Sequence, residues 1–256
     1  MILNLAVTAV LVLVLMLVAF GIGVRRGRHD GVDVVWGLGF VLIAAATSVL
    51  ADGPVWRRVL VTTLVAVWGL RLAWHIHRRN RGKTEDPRYV ALLARAPGNP
   101  NLYALYSVYL LQGAVMWVVS LPVQVAQYGA GTWVVVPFGV ALWLVGFAFE
   151  AIGDAQLARF TADSSNRRNV LDTGLWRYTR HPNYFGDACV WWGFFVLSCH
   201  HWVGLVTVVG PAAITYLLTR GTGKPLLEKS IRARRPGYAE YLERTSGFFP
   251  RPPKKA

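Results

Sequence analysis

The chain has 256 residues, of which 54% are hydrophobic and 16% are charged, and its formal net charge is +14. A soluble domain carries about 25% charged residues, so this composition argues against one. A basic excess can indicate nucleic-acid binding. Here, however, the basic residues lie in loops between apolar segments, as the positive-inside rule predicts for a membrane protein. We therefore expect membrane lipids, and no nucleic acid, among its partners.

Seven apolar segments predict helices across a bilayer, each of which needs about 20 residues. The first has no charge and is followed, not preceded, by basic Arg25 and Arg26. That order favours a retained span over a cleaved signal peptide. The predicted spans are residues 2–24, 34–51, 59–77, 103–122, 132–149, 184–199 and 202–218. The fold class is therefore all-α, a polytopic membrane protein with seven transmembrane helices.

The loops between these spans differ in basic residues. Lys and Arg number three, six, five and ten in residues 25–31, 78–102, 150–183 and the tail from Arg220. The alternate loops hold two, none and none. Because basic loops stay in the cytoplasm, the pattern predicts an outside N-terminus and a cytoplasmic C-terminus. The three long polar segments then share one face, where such loops can build a site.

The loop at 150–183 carries local signals for where its helices end and begin. Glu150 and Asp154 are four residues apart and share a helix face, and the turn at Asp163 is expected to end that helix. Pro182 fits the first position of the sixth span. Helix N-termini attract phosphate, and Asn183 and Asp187 lie on one face of this one. No metal site is expected, since no cluster has metal-ligand spacing.

Ionisable residues at or near membrane depth have alternative interpretations. Arg71 and His75 face one direction on the third span, which marks either a functional cavity or a snorkelling side chain. Asp33, at the start of the second span, is expected to be a helix cap or a salt-bridge partner.

Residues 174–187, Gly-Leu-Trp-Arg-Tyr-Thr-Arg-His-Pro-Asn-Tyr-Phe-Gly-Asp, resemble the signature of the steroid 5α-reductase superfamily, which includes sterol reductases. Residues 68–75, 81–89, 225–229, 235–241 and 248–250 resemble its bacterial DUF1295 branch. The resemblance implies an NADPH-dependent membrane reductase that transfers a hydride to a carbon–carbon double bond of a lipophilic sterol-, isoprenoid- or acyl-like substrate. A bacterial inner membrane is expected, with the cofactor site facing the cytoplasm.

The absence of a low-complexity linker or an internal repeat predicts one membrane domain over residues 1–256. The resemblance implies spans on the substrate side in residues 1–122 and the cofactor-binding half in residues 123–256. It places Asn183 and Asp187 on the cofactor. The other cofactor-binding candidates are Asp154, Arg159, Arg177, Tyr178, Arg180, His181, Tyr184, Glu228, Lys229, Tyr238 and Tyr241. Arginine side chains suit the phosphates of NADPH. No GxGxxG motif follows a strand, so a Rossmann cradle is excluded.

Reduction of an enone also needs an acid that polarises the carbonyl. The glutamate that does this in the steroid enzymes has no counterpart in the first two spans, which contain no glutamate. Tyr89 and Glu85, in the loop after the third span, are the nearest catalytic candidates. A loop folded by Glu–Arg pairs is the alternative interpretation of this segment.

Two other functions stay open. Isoprenylcysteine carboxyl methyltransferases share a related C-terminal half with an Arg-His-Pro sequence and bind S-adenosylmethionine. Asn183 and Asp187 favour the reductase, and a cofactor without phosphates has less need of many arginines. A non-enzymatic lipid-binding or transport protein is the second alternative, although no internal repeat of the kind found in transporters is present.

Overall fold

The computed structural model describes residues 1–221, 223–224, 228, 231–232 and 235–254. Within these ranges it consists of helices and loops, with no strand. The helices are α1 Ile2–Arg26, α2 Val32–Leu50, α3 Val55–Asn80, α4 Pro87–Leu93, α5 Pro100–Ala104, α6 Leu111–Val119, α7 Leu121–Val125, α8 Val135–Ala162, α9 Pro182–Ser198, α10 Val203–Val206, α11 Val209–Thr219 and α12 Tyr238–Arg244. The all-α prediction is confirmed for the described residues.

Five helices of the described chain are long and apolar enough to cross a membrane, as in a multi-pass membrane protein. They are Ile2–Arg26, Val32–Leu50, Val55–Asn80, Pro100–Val119 and Val135–Ala162. The fourth is continuous because a π-helical turn, Leu105–Leu110, joins α5 to α6. The fifth ends at Ala162 with Asp163 as its cap, where the sequence predicted the end.

The last two predicted spans are shorter than the others. Helix α9 has 17 residues and begins at Pro182, the predicted first position. The segment predicted as the seventh span is interrupted between Val206 and Val209, which divides it into α10 and α11. The side chain of Thr207 donates to the carbonyl of Gly204 at the end of α10, and this local bond competes with a continuous helix.

The helices divide into two compact units. Unit 1 comprises residues 1–132 and 198–210, and unit 2 comprises residues 133–197 and 211–254 of the described chain. In unit 1, α2 packs closely on α3 because Gly37 and Gly69 let the two backbones approach. Small residues are the usual means of close helix packing in membranes.

A buried polar network joins α1 to α7 within unit 1. The amide oxygen of Gln124 accepts hydrogen bonds from Asn4 and Thr8, both at 2.9 Å. The Gln124 amide nitrogen donates to Ser120 at 2.8 Å, and the Trp117 indole donates to Thr8. These hydrogen bonds form within the protein, where lipid offers no partner, so the network fixes how the two helices pair.

Unit 2 is built on α8 and α9, which meet through glycines spaced seven residues apart. Gly139 and Gly146 on α8 lie against Gly193 and Gly186 on α9, respectively. A Cβ atom on Gly193 would lie 2.9 Å from the carbonyl oxygen of Gly139. About two turns further along α8, Gly153 accommodates Pro182, so the start of α9 is held against α8.

We expect Gly186→Ala to destabilise unit 2 strongly. The added methyl would collide with backbone atoms of Glu150 and Gly146, which cannot move aside as a flexible side chain could. Overpacking costs about 1–3 kcal/mol or more. The matched control is Gly21→Ala on α1, where no atom lies within 4 Å of the new methyl. Thermal unfolding in detergent should show a clear loss for Gly186→Ala alone; equal melting temperatures would contradict this packing.

Candidate functional site

The segment at 174–187 forms a compact corner before α9. Gly174 has φ of 60°, in the left-handed region that favours glycine, and it opens a short 3-10 turn, Gly174–Arg177. The buried indole of Trp176 donates to the carbonyl of Gly153 on α8 at 3.1 Å. The Leu175 backbone N–H donates to Gln156. The sequence that resembles a reductase signature is therefore anchored to α8.

The C-terminal tail is bound to this corner. The Tyr241 hydroxyl donates to the carbonyl of Trp176 at 2.5 Å. The Arg180 guanidinium donates through Nη1 to the carbonyls of Leu242 and Thr245, at 3.0 and 2.6 Å. The Thr179 hydroxyl donates to the carbonyl of Phe248. The tail is thus a structural component of the candidate site.

Glu228 joins two residues of the corner. Its Oε1 accepts from Arg180 Nε and from His181 Nε2, each at 2.9 Å. Burial opposes ionisation of this carboxyl, but the hydrogen bonds from His181 and Arg180 outweigh it and hold the pKa of Glu228 below its usual value. The predicted candidates Arg180, His181 and Glu228 therefore form one cluster, in which Arg180 also holds the tail.

His181 is almost fully buried, at 1% exposure. Burial lowers its pKa, and the neighbouring Arg180 and Lys224 lower it further, so that the attraction of Glu228 is outweighed. The imidazole is then neutral at pH 7, with Nε2 carrying the proton because a carboxylate can only accept. Its Nδ1 is a buried acceptor without a partner among the described residues. Leaving a buried acceptor without a hydrogen bond costs free energy. This nitrogen is therefore a candidate acceptor for a donor group of a ligand.

We expect the stability of this cluster to fall with acid. The pKa of His181 is lower in the folded chain than its ordinary 6.5, so its contribution is fully present above about pH 6.5 and is lost as the pH falls from there through the lower pKa of the folded chain. The pKa of Glu228 is also lowered from 4.5, so a second loss follows below about pH 4.5. Melting temperatures between about pH 8 and pH 3 should show both steps. His181→Gln should remove the first, and a flat profile in the native chain would contradict it.

Asn183 and Asp154 meet at the first turn of α9. The amide nitrogen of Asn183 donates to Asp154 Oδ1 at 3.1 Å, and its amide oxygen accepts from the Tyr184 backbone at 3.0 Å. Asp154 is 6% exposed, and the ring of Tyr184 stacks on His181. Asp187 lies one turn further along α9 and has interactions of its own. The predicted polar residues at this helix start therefore do converge.

Two predicted cations are available to a ligand. Arg159, near the end of α8, and Arg177, in the 3-10 turn, are exposed and form no ion pair with a described residue. Tyr178 is also exposed, at 43%. Guanidinium groups bind phosphate oxygens through paired hydrogen bonds. These side chains fit an anionic ligand better than Arg180, which is engaged within the protein.

The tail tyrosines are buried rather than open to a ligand. Tyr238 and Tyr241 have ring centroids 5.7 Å apart. Burial raises the pKa of Tyr238 to about 12 and raises that of Tyr241 as well. The Tyr241 hydroxyl is committed to Trp176, so this residue positions the corner. Lys229, also predicted to bind the cofactor, lies outside the described residues.

In unit 1, the two predicted catalytic residues bind opposite ends of the turn that starts α2. Glu85 accepts from the backbone N–H groups of His29 and Asp30, at 2.7 and 2.8 Å. The Tyr89 hydroxyl donates to Asp33 at 2.5 Å. The pKa of Tyr89 lies well above its ordinary value. The main cause is burial of the hydroxyl, and the second is the negative charge of the Asp33 carboxylate. Both residues thus hold the loop on the start of α2, but Glu85 does so through backbone N–H groups, and it forms no ion pair with an arginine of the described chain.

Asp33 is the salt-bridge partner that the sequence suggested. Arg88 donates to its carboxylate at 2.9 Å, and Arg79 lies 3.9 Å from it. Arg88 also pairs with Asp86, the cap of α4. These contacts fix the loop after α3 on the start of α2.

Sequence reasoning missed a second polar pair in unit 1. His29 Nδ1 lies 3.0 Å from the Tyr109 hydroxyl, and both residues are buried. Tyr109 belongs to the π-helical turn of the fourth span, a feature that often marks functional sites. The hydroxyl borders a cavity of about 530 Å³ at the ends of α1 and α3. A tyrosine-rich span was the only signal in the sequence.

Comparison with known proteins gives a family and one curated relative. Residues 19–245 match the family described as "Protein of unknown function (DUF1295)". The chain is similar to "Uncharacterized protein C594.04c" of Schizosaccharomyces pombe, with 24% identity over 281 residues that cover 91% of this chain and 76% of the relative. No solved structure matches the chain. The family and the relative are both described without an activity, and neither comparison supports the expected bacterial origin.

Proposed function

The chain belongs to the DUF1295 family, and we propose that it is a membrane-embedded, NADPH-dependent reductase of a carbon–carbon double bond in a lipophilic substrate. The observation that carries the proposal is the cluster at the start of α9. There the Asn183–Asp154 pair lies beside His181, a buried neutral imidazole with an unsatisfied acceptor. Such a convergence of polar groups in an apolar helix bundle is typical of a ligand site.

The residues of unit 2 suit a phosphate-bearing cofactor. Arg159 and Arg177 would bind the phosphates, and the N-terminus of α9 adds the positive end of a helix dipole. Asn183, whose orientation is fixed by Asp154 and the Tyr184 backbone, would bind a polar edge of the cofactor. When bound, NADPH supplies a hydride to one carbon of the double bond.

His181 has a separate part in this proposal. Its Nδ1 would accept a hydrogen bond from the cofactor, because Nε2–H is held by Glu228. A fixed tautomer makes the ring a selective acceptor rather than a donor. Glu228 and Arg180 are positioning residues, since they act through His181 and the tail.

We also propose the seven-span topology, with an outside N-terminus and a cytoplasmic C-terminus. Helix α9, with 17 residues, is at the short end of what spans a bilayer. In a chain whose Cys189 and Cys199 are replaced by alanine, Lys83→Cys should be labelled only from the cytoplasmic side. Ala130→Cys should be labelled only from outside. Labelling of both from the same side would contradict the topology.

The test is a thermal-shift panel on the purified full chain in detergent, with NADPH, NADH and S-adenosylmethionine. A ligand that binds only the folded chain raises its melting temperature, so stabilisation by NADPH is the expected result. Stabilisation by S-adenosylmethionine alone would replace the proposal with a methyltransferase. Stabilisation by none of the three would favour the non-enzymatic alternative.

A further inference from the structure

The cavity in unit 1 has one apolar wall and one basic rim. Ile22 on α1 and Val34 and Val35 on α2 form much of the wall. The rim carries guanidinium groups from both ends of the cavity, Arg26 at the end of α1 and Arg81 after α3. A volume of about 530 Å³ lies within the range of small-molecule sites. The lining is therefore amphipathic.

The acidic groups near this cavity already have partners within the protein. Asp30 is paired with Arg28 at 2.8 Å, and Arg28 also donates to the carbonyls of Lys83 and Thr84. Glu85 is held by two backbone N–H groups. Arg26 and Arg81 form no ion pair with a described residue. Two positive charges therefore remain on the rim, and an anion would complement them.

The apolar wall continues onto the outer surface of α1. Ile22 lines the cavity and is also 51% exposed, and Val18, one turn earlier, is 55% exposed. In a membrane this face meets lipid chains. A ligand with a long apolar tail can therefore place its charged end at the rim while its tail runs along α1.

The floor supplies one further polar group. The Tyr109 hydroxyl lies against Gly23, in the space that a Cβ atom on residue 23 would occupy. His29 Nδ1 lies 3.0 Å from this hydroxyl and fixes its position by a hydrogen bond. The floor can therefore exchange a hydrogen bond with a ligand oxygen that the arginines hold.

We propose that this cavity binds the anionic head of an amphiphile, a carboxylate or phosphate on an aliphatic chain, between Arg26 and Arg81. The source of the anion is either a free acyl compound or a membrane phospholipid head group. The cavity lies within unit 1, on the proposed substrate side, but its binding of an anion needs no nucleotide and can be tested without the proposed reductase activity.

The experiment measures binding of radiolabelled oleate to the purified full chain in neutral detergent. Oleyl alcohol, which has the same tail without the charge, and inorganic phosphate, which is an anion without a tail, are the competitors. Oleate should bind saturably, and each competitor should displace it only at concentrations at least tenfold higher than unlabelled oleate. Equal competition by oleyl alcohol, or by phosphate, would overturn the proposal, because head or tail alone would then suffice.

Variants compare the contribution of Arg26 and Arg81 to oleate binding with that of a neighbouring arginine outside the cavity. The double variant Arg26→Gln, Arg81→Gln should weaken oleate binding by about tenfold or more, since hydrogen bonds to charged groups are among the strong ones. Arg25→Gln is the matched control: it removes the same charge one residue away, at a position outside the cavity lining. An equal loss in Arg25→Gln would overturn the proposal and reduce the effect to general surface charge.

Gly23→Ala gives a second, charge-neutral test. The methyl intrudes on the Tyr109 hydroxyl, so oleate binding should weaken while the melting temperature is followed to confirm folding. Unchanged binding in a folded Gly23→Ala chain would overturn the assigned floor. Nanodiscs then separate the two sources. Displacement of oleate by phosphatidylglycerol, but not by phosphatidylcholine, identifies a phospholipid head group, and retention of oleate against both identifies a free acyl anion.

Discussion

Replacing Glu228 with alanine is expected to destabilise unit 2 by about 3 kcal/mol, the lower end of the range for breaking a buried ion pair. The carboxylate accepts from both Arg180 and His181. Without it, the half-buried Arg180 charge keeps only carbonyl partners, and His181 loses its acceptor. The tail that Arg180 holds should loosen at the same time.

The measurement is thermal unfolding together with limited proteolysis of the tail. A loss of about 3 kcal/mol corresponds to a fall in melting temperature of roughly 10 °C for a chain of this size. Glu240→Ala is the control, because Glu240 is an exposed carboxylate in the first turn of α12. Equal melting temperatures and equal cleavage of the tail in the two variants would contradict a stabilising role for the Glu228 cluster.

Asn183→Ala and Asp187→Ala are each expected to weaken NADPH binding by about tenfold or more, while the chain stays folded. Loss of a buried polar contact to a ligand costs about 1–3 kcal/mol. Asn183 is oriented by Asp154 on the neighbouring helix, and Asp187 follows it on the same face of α9. The dissociation constant would be measured by fluorescence titration of NADPH.

Two controls make that measurement decisive. Asn169→Ala removes an amide whose hydrogen bonds stay within its own turn, to Ser165 and Asn166. Arg71→Ala should leave the affinity for NADPH nearly unchanged if the only role of Arg71 is in the membrane topology of the chain. Unchanged affinity in both Asn183→Ala and Asp187→Ala would remove the start of α9 from the cofactor site.

Features that depend on neighbouring residues were predictable from the sequence. The first three spans follow from apolar runs, and the ends at Ala162 and Pro182 follow from a polar turn and a proline. In each case the signal lies within a few residues of the feature.

Features that depend on distant contacts were not predictable. Glu228 lies 47 residues from His181, and no local pattern says which carboxylate in the tail will reach the buried imidazole. Tyr89 and Glu85 were grouped because they are close in sequence, but each binds a different part of the turn that starts α2.

The glycines at 139, 146 and 153 do have a visible seven-residue period. That period was a usable signal for the close packing of α8 and α9.

The binding of the tail to the corner also sets an order of events during synthesis. Arg180 donates to the carbonyls of Leu242 and Thr245, 62 and 65 residues later in the chain. At a translation rate of about 5–20 residues per second, these partners appear roughly 3–13 seconds after Arg180. Helix α9 is therefore synthesised before the tail residues that hold its start in place. A premature stop between residues 199 and 242 would leave α9 complete but its start without these partners, and such a chain is expected to be degraded.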